Sequence, residues 1–170
     1  MSEDGFFTLR ENIPACNCTT LDDSPVLLSS MPLQLAALNS GSNGNCYYVG
    51  DEHSAILIDA GLSLKETEKR LRTLQLDPQK IKALFISHEH HDHITGLPAL
   101  SRQWGIPVYL TPGTQQNLPF QVSPEAAHPL KALVPVKMGN LQVVAFEKQL
   151  LRKDVSRRDV PGTLKKKNTG

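Results

Sequence analysis

The chain has 170 residues, of which 39% are hydrophobic and 21% charged, with a formal net charge of +1. That composition reads as soluble and globular, and the length suits one domain with a real core rather than two unrelated ones. No apolar run approaches the roughly 20 residues that a membrane helix needs, and the start Met1-Ser2-Glu3-Asp4-Gly5 is acidic where a signal peptide is basic, so a cytoplasmic protein without membrane contact is expected.

The ends differ from the middle. Residues 1–30 carry Arg10 against Glu3, Asp4, Glu11, Asp22 and Asp23, contain Pro14 and Pro25, and show no sustained periodicity; they read as a poorly ordered lead-in, with Met31 as a candidate true start. Cys16 and Cys18 are too close for an ordinary disulfide, and with Cys46 they make an odd set that fits a reducing compartment. Residues 31–147 are nearly balanced in charge and form the expected domain. Residues 148–170 carry eight Lys and Arg against Asp154 and Asp159, with little apolar surface to bury, and read as a mostly disordered basic tail.

Within the middle segment, strand and helix signals alternate. Leu33–Leu38, Cys46–Val49 and Ala55–Asp59 predict three strands in a meander, the first two joined by the Gly-rich loop 39–45. Ser63 with Glu66 forms a capping box, and Leu64, Thr67, Leu71 and Leu74 recur at helical spacing until Asp77-Pro78 stops the helix. The apolar run Ala83–Ser87 predicts a strand. Leu97, Leu100, Ser101 and Trp104 predict a helix ended by Gly105, followed by a strand at Val108–Leu110, a helix opening at Thr111-Pro112, and a last strand at Leu141–Phe146.

Directly after the fourth strand stand His88-Glu89-His90-His91-Asp92-His93, with an H-x-H-x-D-H pattern of three imidazoles and a carboxylate. On an extended backbone, side chains two apart point the same way, so His88 and His90 are placed to grip one ion. Asp92 and His93 follow where the chain turns and would be directed at a second position, as in a paired-metal site. Imidazole and carboxylate donors favour zinc, with manganese or iron as alternatives. His91 receives no ligand role, and His53 and His128 read as surface residues.

The order of Ser40-Gly41-Ser42-Asn43-Gly44-Asn45, then Leu57-Ile58-Asp59-Ala60-Gly61, then Ser87 through Leu97 closely resembles the metallo-beta-lactamase superfamily, and the first loop resembles its YycJ/WalJ branch. The resemblance spans about residues 31–146. It implies an α/β fold, the αββα sandwich, with a mixed, mostly antiparallel sheet and flanking helices. It also implies a dinuclear zinc or manganese centre and hydrolysis, and for the branch a nucleic-acid phosphodiesterase or exonuclease. By the same resemblance, His88 and His90 match ligands of one metal, and Asp92 and His93 those of the second, with Asp92 also a candidate for orienting the water. Asp59 matches a buried carboxylate that would hydrogen-bond a ligand histidine; capping a strand end is its alternative role. Ser40, Asn43 and Asn45 sit in a loop that would line a substrate phosphate, with a plain hairpin turn as the alternative.

The family pattern calls for another histidine soon after the last strand, and later for a bridging aspartate and a final histidine. After His128 the chain has no histidine, and after Phe146 its composition changes abruptly. The expectation is therefore the amino-terminal half of the sandwich, with four of roughly seven ligands, as a truncation or frameshift would leave it. Such a half would bare the inner face and an edge of its sheet, and a homo-oligomer would cover them. Three functional readings follow: a nucleic-acid phosphodiesterase working through a metal-activated water, a thioesterase or lactamase-like hydrolase, and an inactive metal-binding fragment.

Overall fold

A computed structural model describes residues 5–11 and 33–147. Cys16, Cys18, Met31 and the basic segment 148–170 lie outside the described residues.

Nine strands and four helices run in the order β1 (Gly5–Glu11), β2 (Gln34–Asn39), β3 (Cys46–Gly50), β4 (Ala55–Ile58), α1 (Leu64–Thr73), β5 (Ile81–Phe85), α2 (His91–Ile94), α3 (Leu97–Trp104), β6 (Val108–Leu110), α4 (Pro112–Asn117), β7 (Ala127–Pro129), β8 (Pro135–Met138) and β9 (Leu141–Glu147) among the described residues. They build a mixed α/β fold of two sheets. The larger sheet has the order β2-β3-β4-β5-β6-β7, and the smaller has β1-β9-β8. The expected meander is present, since β2, β3 and β4 pair antiparallel in sequence. From β4 onward the pairing is parallel, which requires the crossovers that α1 and α3 supply.

Strand alternation decides which layer each side chain joins. On one face of the larger sheet, Tyr48, Leu57 and Leu84 pack with Leu71 of α1 and with Leu97 and Leu100 of α3. On the other face, Val49, Ile56, Ala83 and Phe85 pack against Leu130, Leu141, Val143 and Ala145. Each buried Leu, Ile, Val or Phe side chain among these contributes about 1.5–3 kcal/mol. The inner face of the larger sheet is therefore not bare, which corrects the expectation for a half sandwich: β8 and β9 cover it. Its edge strands remain, and β2 carries Leu35 at 71% exposure.

Two boundaries differ from the sequence reading. Strand β1 falls inside the segment read as lacking periodicity, yet it pairs with β9 along all seven residues, from Gly5 with Glu147 to Glu11 with Leu141. Its text, Gly-Phe-Phe-Thr-Leu-Arg-Glu, is rich in β-favouring residues. Helix α1 stops at Thr73, before Asp77-Pro78. Gln75 adopts a left-handed φ of 57°, the N–H of Leu76 donates to the Leu71 carbonyl and that of Gln75 to the Arg72 carbonyl. This is a Schellman closure with glutamine in the usual glycine position. Asp77 instead caps the short 3-10 turn Pro78–Lys80, accepting from the Gln79 N–H at 2.9 Å.

The two sheets are also tied at one end through a buried carboxylate. Asp51, 3% exposed in the β3–β4 turn, accepts from the N–H groups of His53 and Ser54 at 2.7 Å each. The Ser54 hydroxyl donates to the Met138 carbonyl at the end of β8. Burial pushes the Asp51 carboxyl up, but these N–H groups with the Asn140 and Ser54 side chains outweigh it, and its pKa lies below the ordinary carboxylate value. Replacing Asp51 with alanine is expected to cost about 1–3 kcal/mol at pH 7 by urea unfolding. Because the folded pKa is depressed, this contribution is complete above the unfolded value and is lost as pH falls through the folded one. The gap between the two proteins should thus begin to narrow as pH falls below about 4; a gap independent of pH would show that the charge does not matter.

Candidate metal centre

The H-x-H-x-D-H motif begins where parallel strands β4 and β5 both end. Ile58 pairs with Phe85, and the Asp59 N–H donates to the Phe85 carbonyl at 2.8 Å, so Asp59 and Ser87 emerge side by side from adjacent strands. The carboxyl ends of parallel strands are where α/β sheets place their sites.

Three backbone segments are clasped there. The Asn45 N–H donates to the Asp92 carbonyl at 2.6 Å, Gly61 N–H to the Asn45 carbonyl at 2.9 Å, and Ala60 N–H to the His93 carbonyl at 2.7 Å; Gly96 N–H returns to the Ala60 carbonyl at 2.7 Å. The approach leaves no room for side chains at two glycines. A Cβ on Gly61 would lie 1.8 Å from the Asp92 carbonyl oxygen, and one on Gly96 would lie 1.8 Å from that of Leu62. The three sequence motifs thus meet in space.

Asp59 organises the polar groups. It is 3% exposed and holds a left-handed φ of 61°, a conformation that Asp tolerates better than most residues. Its Oδ2 lies 2.7 Å from His93 Nδ1. A carboxylate only accepts, so His93 Nδ1 carries a proton, and in the neutral ring Nε2 keeps the lone pair. The Ser87 N–H and hydroxyl both donate to Asp59, at 2.8 Å to Oδ1. With its proton so committed, Ser87 Oγ accepts from His88 Nδ1 at 2.9 Å, which in the neutral ring leaves the His88 lone pair on Nε2 too. One carboxylate therefore sets two imidazoles, one directly and one through Ser87.

The rings gather closely. Those of His88 and His90 have centroids 4.5 Å apart, and those of His88 and His93 are 3.9 Å apart. Asp92 Oδ2 stands 3.5 Å from His93 Nε2. Asn45 Nδ2 lies 2.9 Å from Asp92 Oδ2 and 3.1 Å from His93 Nε2. Among the other sequence candidates, Ser40 Oγ accepts from the Tyr47 hydroxyl at 2.9 Å at the surface, and Asn43 is exposed. His53, His91 and His128 are exposed as well. Ser87 carries no signal in the sequence beyond its position between the strand and His88.

The donors fit a zinc or manganese ion in chemistry: two imidazoles with tautomers that leave Nε2 for a metal, and a carboxylate converging on one of them. Among the described residues, no set of three or more His, Cys, Asp and Glu side chains converges on a single metal position. Cys46 is no candidate, because burial, with a further push from the Asp59 charge, raises its thiol pKa to about 12. A separate cleft of about 600 Å³ beside α3, lined by residues such as Arg102, Glu125 and His128, contains none of the motif residues.

The profile of the metallo-beta-lactamase superfamily matches residues 40–161. The chain belongs to the metallo-beta-lactamase superfamily. This family implies bound metal ions. Among relatives of this superfamily member, an exodeoxyribonuclease YycJ of Bacillus anthracis is 43% identical over 79 residues, which are 46% of this chain and 30% of that protein. An exodeoxyribonuclease WalJ of Streptococcus pneumoniae is 36% identical over 91 residues, 54% of this chain and 34% of that one. A ribonuclease Z of Treponema pallidum is 53% identical over 49 residues, 29% of this chain and 15% of that protein. The chain thus spans about a third of the length of the first two relatives. Among solved structures, a metallo-beta-lactamase of Cronobacter sakazakii matches with a TM-score of 0.53 at 19% identity, covering 62% of this chain and 48% of that one. The metallo-beta-lactamase GOB-18 of Elizabethkingia meningoseptica gives 0.53 at 18%, covering 66% and 47%. These two show the fold alone. No helix among the described residues is long and apolar enough to cross a membrane.

Proposed function

We propose that this chain carries the metal-binding half of a zinc-dependent hydrolase that cleaves phosphodiesters in nucleic acid. The observation that carries the reading is His93, held by Asp59 through Nδ1 and standing with Nε2 3.5 Å from Asp92 at the carboxyl ends of β4 and β5. His88 and His90 would hold one ion, and Asp92 and His93 a second, with manganese able to substitute. A metal bound there supplies a Lewis acid and a water acidified toward neutrality. The residues of this chain hold the imidazoles in the ligating tautomer, and Asp92 orients the attacking water. The names of the exodeoxyribonuclease relatives support nucleic acid as the substrate class.

A second reading, metal binding without turnover, is favoured by the absence of three converging ligands among the described residues, since a catalytic zinc site normally has three protein ligands and an open position. The two separate in one assay. The full chain with zinc or manganese is given end-labelled single-stranded DNA and bis-p-nitrophenyl phosphate. Hydrolysis that falls at least about 100-fold in His90→Ala, and that on DNA weakens steeply with salt, is the expected result. Metal uptake with no hydrolysis above buffer would favour the second reading.

A further inference from the structure

We propose that the Asn45 side-chain amide, which reaches the acceptor atoms of Asp92 and His93, competes with zinc for them as a built-in stand-in and is displaced when zinc binds. The inference rests on the reading of Asp92 and His93 as metal ligands and adds what must happen for that metal to load.

The geometry leads there in three steps. Asn45 Nδ2 lies 2.9 Å from Asp92 Oδ2 and 3.1 Å from His93 Nε2, two atoms that are themselves 3.5 Å apart. An –NH2 group with two hydrogens thus faces the pair a cation would bridge. His93 Nδ1 is spent on Asp59, so the neutral ring has one in-plane lone pair left, on Nε2. A zinc ion would need that lone pair, and an N–H donor cannot share it. Nor can the amide nitrogen act as a ligand in its place, because it only donates. Metal binding at this pair is therefore an exchange.

The loop gives the amide somewhere to go. Asn45 Nδ2 also lies 3.2 Å from the Gly41 carbonyl, and Oδ1 accepts from the Gly41 N–H at 3.0 Å. Two hydrogens serve three acceptors, and releasing Asp92 and His93 leaves the Gly41 contacts intact. The rest of the loop is held without this side chain. Asn39 Nδ2 donates to the Gly44 carbonyl at 2.5 Å, Arg70 donates to Asn39 Oδ1 at 2.9 Å and to the Leu38 carbonyl, and Glu66 accepts from Arg70 Nε at 2.9 Å. The amide thus holds the two ligands in register, and would withdraw toward Gly41 to admit a metal.

The test follows the amide itself. Full-length chain labelled with ¹⁵N is titrated with zinc chloride while the Asn45 side-chain NH2 pair is observed, and zinc affinity is measured by competition with a chromophoric chelator for the native chain and for Asn45→Ala. The NH2 pair should move to a new position as zinc saturates, and Asn45→Ala should bind zinc about tenfold more tightly, because the competitor is gone. Zinc uptake with the NH2 pair unmoved, or weaker binding by a folded Asn45→Ala, would overturn the stand-in and leave the metal site standing. No uptake by the native chain would overturn both. The resonance on the native chain decides the matter even if the variant fails to fold.

Discussion

Changing Asp59 to asparagine is expected to lower zinc affinity by about 10–100-fold while leaving the fold intact. The carboxylate is the acceptor for His93 Nδ1 and, through Ser87, the group that sets His88. Asparagine keeps the shape and is among the residues that best tolerate the left-handed φ of 61°. Its Oδ1 can still accept from the Ser87 N–H, which directs its NH2 at His93 Nδ1. That nitrogen must then accept, and its proton moves to Nε2, where it blocks the metal. The check is zinc competition with a chelator, combined with the ¹⁵N shifts of the His93 ring. Native-like affinity with the proton still on Nδ1 would show that Asp59 serves only the end of β4. Because Asp59 is nearly fully buried, thermal melting in the absence of metal should accompany the titration, so that a binding defect is not confused with a folding one.

The second large effect concerns the backbone clasp. Gly61→Ala places a methyl group 1.8 Å from the Asp92 carbonyl oxygen and 2.4 Å from the Asn45 backbone nitrogen. Both neighbours are main chain and cannot swing aside. Relieving the overlap means breaking the Asn45 to Asp92 and Gly61 to Asn45 hydrogen bonds, which join the three segments that build the site. A loss of about 4 kcal/mol or more is expected, among the largest single-residue effects, seen as a drop in melting temperature of about 10 °C or more. Gly105→Ala is the control, since a Cβ there meets nothing within 4 Å; its φ of 61° limits its cost to backbone strain of about 1 kcal/mol. Gly61 itself has no positive φ, so a loss no larger than that of Gly105→Ala would show that the close approach is relieved cheaply.

Much of this architecture is legible in the sequence because its signals are local. Cys46–Val49 and Ala55–Ile58 are short apolar runs bounded by polar turns, and both form strands. Ser63 caps α1, and Gly105 ends α3 in a left-handed conformation. What escapes the sequence depends on distant partners. Strand β1 finds β9 more than 120 positions away, and β7 and β8 are three and four residues long with prolines at their ends, where local pattern favours loops. The end of α1 rests on Gln75 accepting a backbone conformation normally left to glycine.

The site divides the same way. The histidines and Asp92 announce themselves by spacing, and Asp59 by its place in the family pattern. The part played by Ser87 appears only once β4 and β5 lie side by side, and that of Asn45 only once its loop is laid against the motif. Read as a sequence, Asn45 belongs with Ser40 and Asn43 in a loop for substrate; in the fold its amide faces Asp92 and His93 while Ser40 and Asn43 stay at the surface.

The most direct test of the account is metal content. Full-length chain, dialysed against a small excess of zinc and then against metal-free buffer, is analysed by mass spectrometry for zinc per chain beside His93→Ala. The expected result is about one to two zinc ions per native chain and about one fewer in the variant, since His93 belongs to the second of the two proposed positions. Equal and substoichiometric zinc in both would contradict it and reduce the cluster of Asp59, His88, Asp92 and His93 to a hydrogen-bonded junction between strands.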